Sequence, residues 1–299
     1  MIFSAERLPE AAREVLKKWE VVEEDASRLG EAEVIMAWRV VPEMIASAPK
    51  LKAIQTFSAG VDHLPFTAIP KGVRIFSNAG AYSVPVAEHA WALLLHLAKG
   101  VNVMDKQKAV NYPRQLHGKT LLVLGAGGIG QEIARIGKCF GMRTQGISRH
   151  PRQSPVFDEV YGIQSLDDLL SHADFIAIAL PLNKESRNLL DARRLSLLKD
   201  DCVMVNVGRG DVVDQQAIYD LLKRKREFRY GTDVWWHEPQ GEGAHLPFTQ
   251  LENFAGTPHI AGGASKETAD LAKIAASRNV AKFMETGSAD NEVNVTDYT

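Results

Sequence analysis

Apolar residues in this chain fall into short unbroken runs that alternate with stretches spaced at a helical period. Residues 1–4, 34–37, 51–57 and 73–76 read as strands. Between them, residues 9–19 place Ala11, Ala12, Val15, Leu16 and Trp19 on one side of a helix, and residues 42–48 open a helix on Pro42. This is a small α/β unit with a parallel sheet. Residues 84–98, VPVAEHAWALLLHLA, are apolar nearly all round, so the pattern predicts a long helix buried between layers, a candidate for a domain interface. The alternation then resumes: strands at 120–124, 142–148, 175–180, 202–207, 231–234 and 253–257, with helices at 131–140, 166–170, 191–198 and 215–223, a doubly wound pattern.

The stretch 100–119 is polar, carrying Asn102, Asp105, Lys106, Gln107, Lys108, Asn111 and Pro113, and marks a domain crossing. The long helix expected at 266–285 returns to the first domain. Expected boundaries are therefore 1–99 with 268–299 for one domain and 100–267 for the other, within a chain of 299 residues, long enough for two cores. A net charge of −2 gives no broad attraction to nucleic acid or to an anionic membrane, so the expected partner is a small molecule held by a local cluster. Cys139 and Cys202 both lie in apolar surroundings, which predicts buried thiols in a reducing compartment, without a disulfide or metal site. The N-terminus lacks a secretory apolar segment and no apolar run nears the ~20 residues of a membrane span, so a cytoplasmic location is expected.

The strongest local motif is TLLVLGAGGIG at 120–130. Gly125, Gly127 and Gly130 satisfy G-x-G-x-x-G between a strand and a helix, where glycines serve a tight turn, backbone approach to a pyrophosphate, and close helix packing. The N–H groups of Gly128, Ile129 and Gly130 would face a phosphate at the helix start. In open parallel sheets ligands lie beyond the carboxyl ends of strands, which draws attention to residues 58–62, 208–210, 235–239 and 258–263, and so to Arg209, Glu238 and His259 on one rim. Each alone reads as a turn arginine, a loop acid or a packing histidine. Together they form a set suited to carbonyl chemistry.

With these residues in view, the chain resembles the D-isomer-specific 2-hydroxyacid dehydrogenase family over nearly its full length, through FSAGVDHL, VAEHA, GKTLLVLGAGGIGQEIA, LPLNKESRNLLD, VMVNVGRGDVVD, DVWWHEP and TPHIAG in the family's order. The resemblance implies a Rossmann cofactor domain inserted in a flavodoxin-like substrate domain, and reduction of a small 2-oxo acid such as glyoxylate or hydroxypyruvate. It places the catalytic arginine, glutamate and histidine on Arg209, Glu238 and His259, and the acid that holds the nicotinamide carboxamide on Asp233. The backbone loop that binds the substrate carboxylate falls on Ala59, Gly60 and Val61, and further cofactor contacts on Leu180, Pro181 and Val207. In these roles Arg209 clamps the carboxylate and carbonyl, and His259, paired with Glu238, donates the proton as hydride arrives.

Two departures matter. Where many relatives carry an asparagine before VAE, this chain has Ala81-Tyr82-Ser83, expected to narrow or reline the substrate pocket. Eighteen residues past Gly130, where an acid usually meets the adenosine ribose, stands Ser148, followed by Arg149, His150, Pro151 and Arg152. A serine with a basic turn predicts NADP(H) over NAD(H), with Arg149 as the main counter-charge. Arg39 and Trp236 are candidate walls for the substrate tail, with packing as the equal alternative for both. The resemblance also implies a homodimer through the helix at 84–98 and the segment after it. The alternatives are a dinucleotide-regulated binding protein and a formate or phosphite dehydrogenase on the same scaffold. That formate-oxidising branch uses glutamine where Glu238 stands.

Overall fold

The computed structural model describes residues 1–101, 113–238, 245–263 and 265–299. The chain divides into two compact units, Met1–Tyr82 with Gly263–Thr299, and Ser83–Gly262.

The first unit carries five strands: β1 (Ile2–Ser4), β2 (Val21–Glu23), β3 (Val34–Ala37), β4 (Ala53–Thr56) and β5 (Arg74–Phe76). All pair in parallel in the order β2-β1-β3-β4-β5, which is the flavodoxin-like winding. β1, β3 and β4 are buried throughout, as parallel strands covered on both faces must be. Helices α1 (Glu10–Leu16) and α2 (Pro42–Ala46) lie between strands.

The second unit holds seven strands: β6 (Thr120–Leu124), β7 (Arg143–Ile147), β8 (Glu159–Tyr161), β9 (Phe175–Ile178), β10 (Val203–Asn206), β11 (Arg229–Thr232) and β12 (Phe254–Gly256). Their order, β12-β11-β10-β9-β6-β7-β8, is the Rossmann winding with one further strand at the β12 edge. The helices are α3 (Ser83–Lys99), α4 (Gly128–Cys139), α5 (Leu166–His172), α6 (Ala192–Ser196) and α7 (Gln215–Arg224), and the closing helix α8 (Lys266–Thr286) returns to the first unit and packs on α1.

The sequence reading drew the crossings at 99/100 and 267/268, whereas compactness puts α3 with the second unit. There Trp91 donates its indole N–H to the Ile133 carbonyl of α4 at 3.0 Å. Gly137 permits the approach, since a Cβ there would lie 2.8 Å from Leu121 and 3.4 Å from Trp91. The last turn of α3 is capped by buried Arg229, whose guanidinium donates to the Leu97 carbonyl, so β11 starts on a charged residue two positions before the expected strand. Two strands were not anticipated, β2 and β8. Both are three-residue edge strands, too short for a periodic signal.

Cys202 is buried, and burial pushes its thiol well above the usual range. Cys139, expected to be buried, is exposed. The buried stripe of α4 runs Gly130, Ile133, Ala134, Gly137, and position 139 falls off it. Among the described residues no helix is long and apolar enough to cross a membrane.

Candidate active site

The glycines after β6 do three different jobs. Gly125 has φ +103°, and a Cβ there would sit 2.7 Å from the Ala179 carbonyl oxygen. A Cβ on Gly130 would lie 1.9 Å from the Gly125 oxygen, so this glycine lets α4 close on its own turn. Gly127 meets nothing within 4 Å and caps α4 without a side chain, which leaves the N–H groups of Gly128, Ile129 and Gly130 open toward an anion. These residues fit a dinucleotide pyrophosphate. Gly130→Ala is expected to cost about 1–3 kcal/mol through overpacking, a fall in Tm of roughly 2–4 °C per kcal/mol. Gly127→Ala is expected to lower Tm by no more than about 2–4 °C, since alanine caps a helix less well than glycine by roughly 1 kcal/mol, but to weaken dinucleotide binding, because its methyl group occupies the ligand's space. Thermal denaturation and a binding titration of both variants check this.

At the end of β7, the Ser148 N–H donates to the Tyr161 carbonyl at 3.0 Å. Ser148, His150, Arg152 and Gln153 line a cleft of about 360 Å³ with Ala126 and Gln131. Arg152 thus lines the cleft, while Arg149 pairs with Glu185 at 2.7 Å. Glu185 belongs to the loop after β9, where the Asn183 side chain accepts from the N–H groups of Glu185 and Ser186, and the Ser186 hydroxyl donates to the Pro181 carbonyl at 2.6 Å. The same loop presents Leu180 and Pro181, and Val207 donates to the Ile178 carbonyl at 3.0 Å beside it.

Parallel register brings the remaining candidates together: Asn206 lies opposite Thr232, and Thr232 opposite Gly256, at the carboxyl ends of β10, β11 and β12. Arg209 stands between two glycines that admit neighbouring backbone. A Cβ on Gly208 would be 2.5 Å from the Leu180 oxygen, and one on Gly210 2.3 Å from Trp235 backbone. Asn206 ties the loop by donating to the Arg209 carbonyl and accepting from the Gly208 N–H. His259 Nδ1 lies 2.6 Å from Glu238 Oε2, which leaves Nε2 as the nitrogen directed elsewhere. The histidine side chain is 45% exposed and the glutamate 24%, so the pair is open to a ligand. His259 has φ +55°, and His237, just before Glu238, φ +61°, left-handed conformations that cluster at functional sites. Pro239 lies outside the described residues.

In the first unit, Ala59, Gly60 and Val61 follow β4 in a turn braced by the Ser58 hydroxyl on the Gly60 carbonyl at 2.8 Å and the Thr56 hydroxyl on the Ser58 carbonyl at 2.7 Å. Tyr82, expected to reline the pocket, donates its hydroxyl to the Phe57 carbonyl at 2.8 Å, and burial raises its phenol. It braces the root of this loop. Arg39 is exposed. Trp236 is not a wall residue: it is 1% exposed, stacks on Phe248 at 5.0 Å and donates to the Val213 carbonyl.

Asp233 is 1% exposed and accepts from the Thr257 hydroxyl and the Ile260 and Ala261 N–H groups. Sequence reasoning missed Thr257 and His89, which reach this carboxylate. Thr257 reads as the end of a strand, and His89 as one polar position on an apolar helix.

The family model for the D-isomer specific 2-hydroxyacid dehydrogenase NAD binding domain matches residues 87–261. The chain is 30% identical over 271 residues to a glyoxylate reductase of Aeropyrum pernix, covering 86% of this chain and 80% of that protein. It is 29% identical over 285 residues to a D-3-phosphoglycerate dehydrogenase of Methanocaldococcus jannaschii, covering 91% of this chain but 54% of that longer protein. Among solved structures, a Pyrobaculum aerophilum protein provisionally described as a formate dehydrogenase superposes with a TM-score of 0.87 at 31% identity, covering 99% of each chain.

Proposed function

Since the chain belongs to the D-isomer-specific 2-hydroxyacid dehydrogenase family, we propose that it is a nicotinamide-dependent oxidoreductase that reduces a small 2-oxo acid, of the size of glyoxylate or hydroxypyruvate, to the D-2-hydroxy acid. The observation that carries this reading is the 2.6 Å pair of His259 Nδ1 and Glu238 Oε2. Carbonyl reduction needs a proton delivered as well as a hydride, and the pair supports His259 as that donor through Nε2. Glu238 orients the ring through Nδ1. Arg209 is permanently cationic and offers two parallel N–H bonds to the substrate's carboxylate and carbonyl oxygens. Ala59, Gly60 and Val61 would offer backbone N–H groups to a carboxylate. NADPH, when bound, supplies the hydride. Its pyrophosphate would be held by Gly127, Gly128, Ile129 and Gly130, its 2′-phosphate by Ser148, Arg149, His150 and Arg152, and its nicotinamide carboxamide by Asp233, with Leu180, Pro181 and Val207 beside it.

The P. aerophilum likeness makes formate the reading to separate. Oxidising formate anion to carbon dioxide releases no proton from the substrate, so it has no use for an acid–base pair. Steady-state assays of both cofactors on glyoxylate, hydroxypyruvate, pyruvate, formate and phosphite test the proposal. Turnover of a 2-oxo acid is expected, and its absence across the panel overturns the assignment, including against a protein that only binds the dinucleotide.

We also propose a homodimer formed through α3 and the segment that follows, of which residues 102–112 lie outside the described residues. Light scattering at micromolar concentration checks it, and a monomer refutes it.

A further inference from the structure

We propose that His89 and Thr257 are positioning residues that set the backbone on which His259 stands, an inference that rests on the proton-donor role given to His259 above. A left-handed backbone at a residue with a Cβ persists only where its surroundings impose it. At His259, with φ +55°, the surroundings are a buried polar network. Asp233 accepts the Ile260 N–H at 2.9 Å through Oδ1 and the Ala261 N–H at 2.8 Å through Oδ2, fixing the two peptides after the histidine. Thr257 fixes the side before it. Its N–H donates to the Thr232 carbonyl at 3.0 Å, and its own carbonyl accepts the Trp235 indole N–H at 2.9 Å and the His259 N–H at 3.0 Å.

The Thr257 hydroxyl joins the two sides, at 2.7 Å from Asp233 Oδ1 and 2.8 Å from His89 Nε2. A hydroxyl has one proton, and an ionised carboxylate only accepts. That proton therefore goes to Asp233, and His89 must donate its Nε2–H to the threonine oxygen. This assigns the ring's hydrogen by elimination, and it makes His89 a strut between α3 and the His259 turn. His89 Nε2 is also 3.5 Å from Asp233 Oδ1, an electrostatic contact beyond its hydrogen bond to Thr257. With the Asp233 side chain 1% exposed, water has little access to replace the Thr257 bonds. The chain of contacts thus runs from the middle of α3 through Thr257 and Asp233 to the peptides at 260 and 261, and His259 sits inside the loop it closes.

The test compares Thr257→Val, which removes the hydroxyl at nearly constant shape, with Thr257→Ser, which restores it, and with His89→Phe, which removes the donor from the helix side. A misplacement on the order of 1 Å of a catalytic group costs up to about 10²-fold, so Thr257→Val and His89→Phe are each expected to lower kcat by about 10- to 100-fold. KM for the 2-oxo acid stays within about two-fold, and Thr257→Ser recovers kcat to within about three-fold of wild type. A readout independent of turnover accompanies this: with ¹⁵N-labelled histidine, the Nδ1–H resonance of His259 on Glu238, assigned by its loss in His259→Ala, persists in wild type and Thr257→Ser and shifts or broadens in Thr257→Val and His89→Phe. If wild type turns over no 2-oxo acid, the proton-donor reading fails while the resonance still decides this inference. Should Thr257→Val not fold, His89→Phe decides alone, since it leaves residues 257–261 intact. An unchanged resonance with kcat within two-fold of wild type overturns the proposal, as does Thr257→Ser being as impaired as Thr257→Val.

Discussion

Replacing His259 with alanine is expected to lower kcat for 2-oxo acid reduction by ~10²- to 10⁴-fold, the usual contribution of a positioned general acid. Cofactor affinity should change by less than about two-fold, since the side chain lies beyond the glycine cradle and its loss removes a transition-state interaction rather than a binding one. Glu238 Oε2, 2.6 Å from Nδ1, holds the ring in place. Glu238→Ala removes that acceptor, so kcat is expected to fall by about 10- to 100-fold through misplacement of the ring. A His259→Ala enzyme keeping more than about a tenth of wild-type kcat contradicts the role. A Glu238→Ala enzyme with kcat within about two-fold of wild type contradicts the pairing.

Much of the architecture was legible because parallel strands covered on both faces leave unbroken apolar runs, and the alternation of these runs with helical stretches specifies winding. The same argument explains its failures. β2 and β8 bury little and pair on one side only, so nothing in their composition announces them. Cys139 and Trp236 show that residue type is a weak guide to side. The cysteine sits one step off the buried stripe of α4, and the tryptophan turns into the core to stack on Phe248 although it neighbours Glu238 in sequence. At the site, the identities of Arg209, Glu238 and His259 were readable as polar residues following strands. What was not readable is how they are held: positive φ at His237 and His259, the Cβ-free approach at Gly208 and Gly210, and the convergence of His89, Thr257 and Asp233 from helix, strand end and turn. Such features depend on residues far apart in sequence meeting within hydrogen-bond distance, and no local pattern encodes that.

NADPH should exceed NADH in kcat/KM by roughly 10- to 1,000-fold, on the basis that a 2′-phosphate gains charge-assisted hydrogen bonds worth about 1.5–4 kcal/mol in total. Ser148 leaves room where an aspartate would accept from a ribose 2′-hydroxyl and repel a phosphate, and its own hydroxyl, 3.4 Å from the His150 carbonyl, is weakly engaged and free to turn. Arg152 and His150 already line the cleft beside it. Arg149 is turned to Glu185, but that ion pair is exposed on both sides, 38% and 72%, and exposed pairs contribute about 0–1 kcal/mol, so a phosphate recruits the guanidinium at small cost. Arg149→Ala and Arg152→Ala are each expected to reduce the NADPH-to-NADH ratio by about ten-fold and the double substitution to erase it, with the NADH constants nearly unchanged. Ser148→Asp should reverse the preference, adding an acceptor for the 2′-hydroxyl while placing a negative charge against the phosphate. Steady-state kinetics with both cofactors at saturating 2-oxo acid measure wild type and the four variants. If wild type uses NADH as well as or better than NADPH, the basic turn at 149–152 is only a solvated surface and Ser148 does not discriminate between the cofactors.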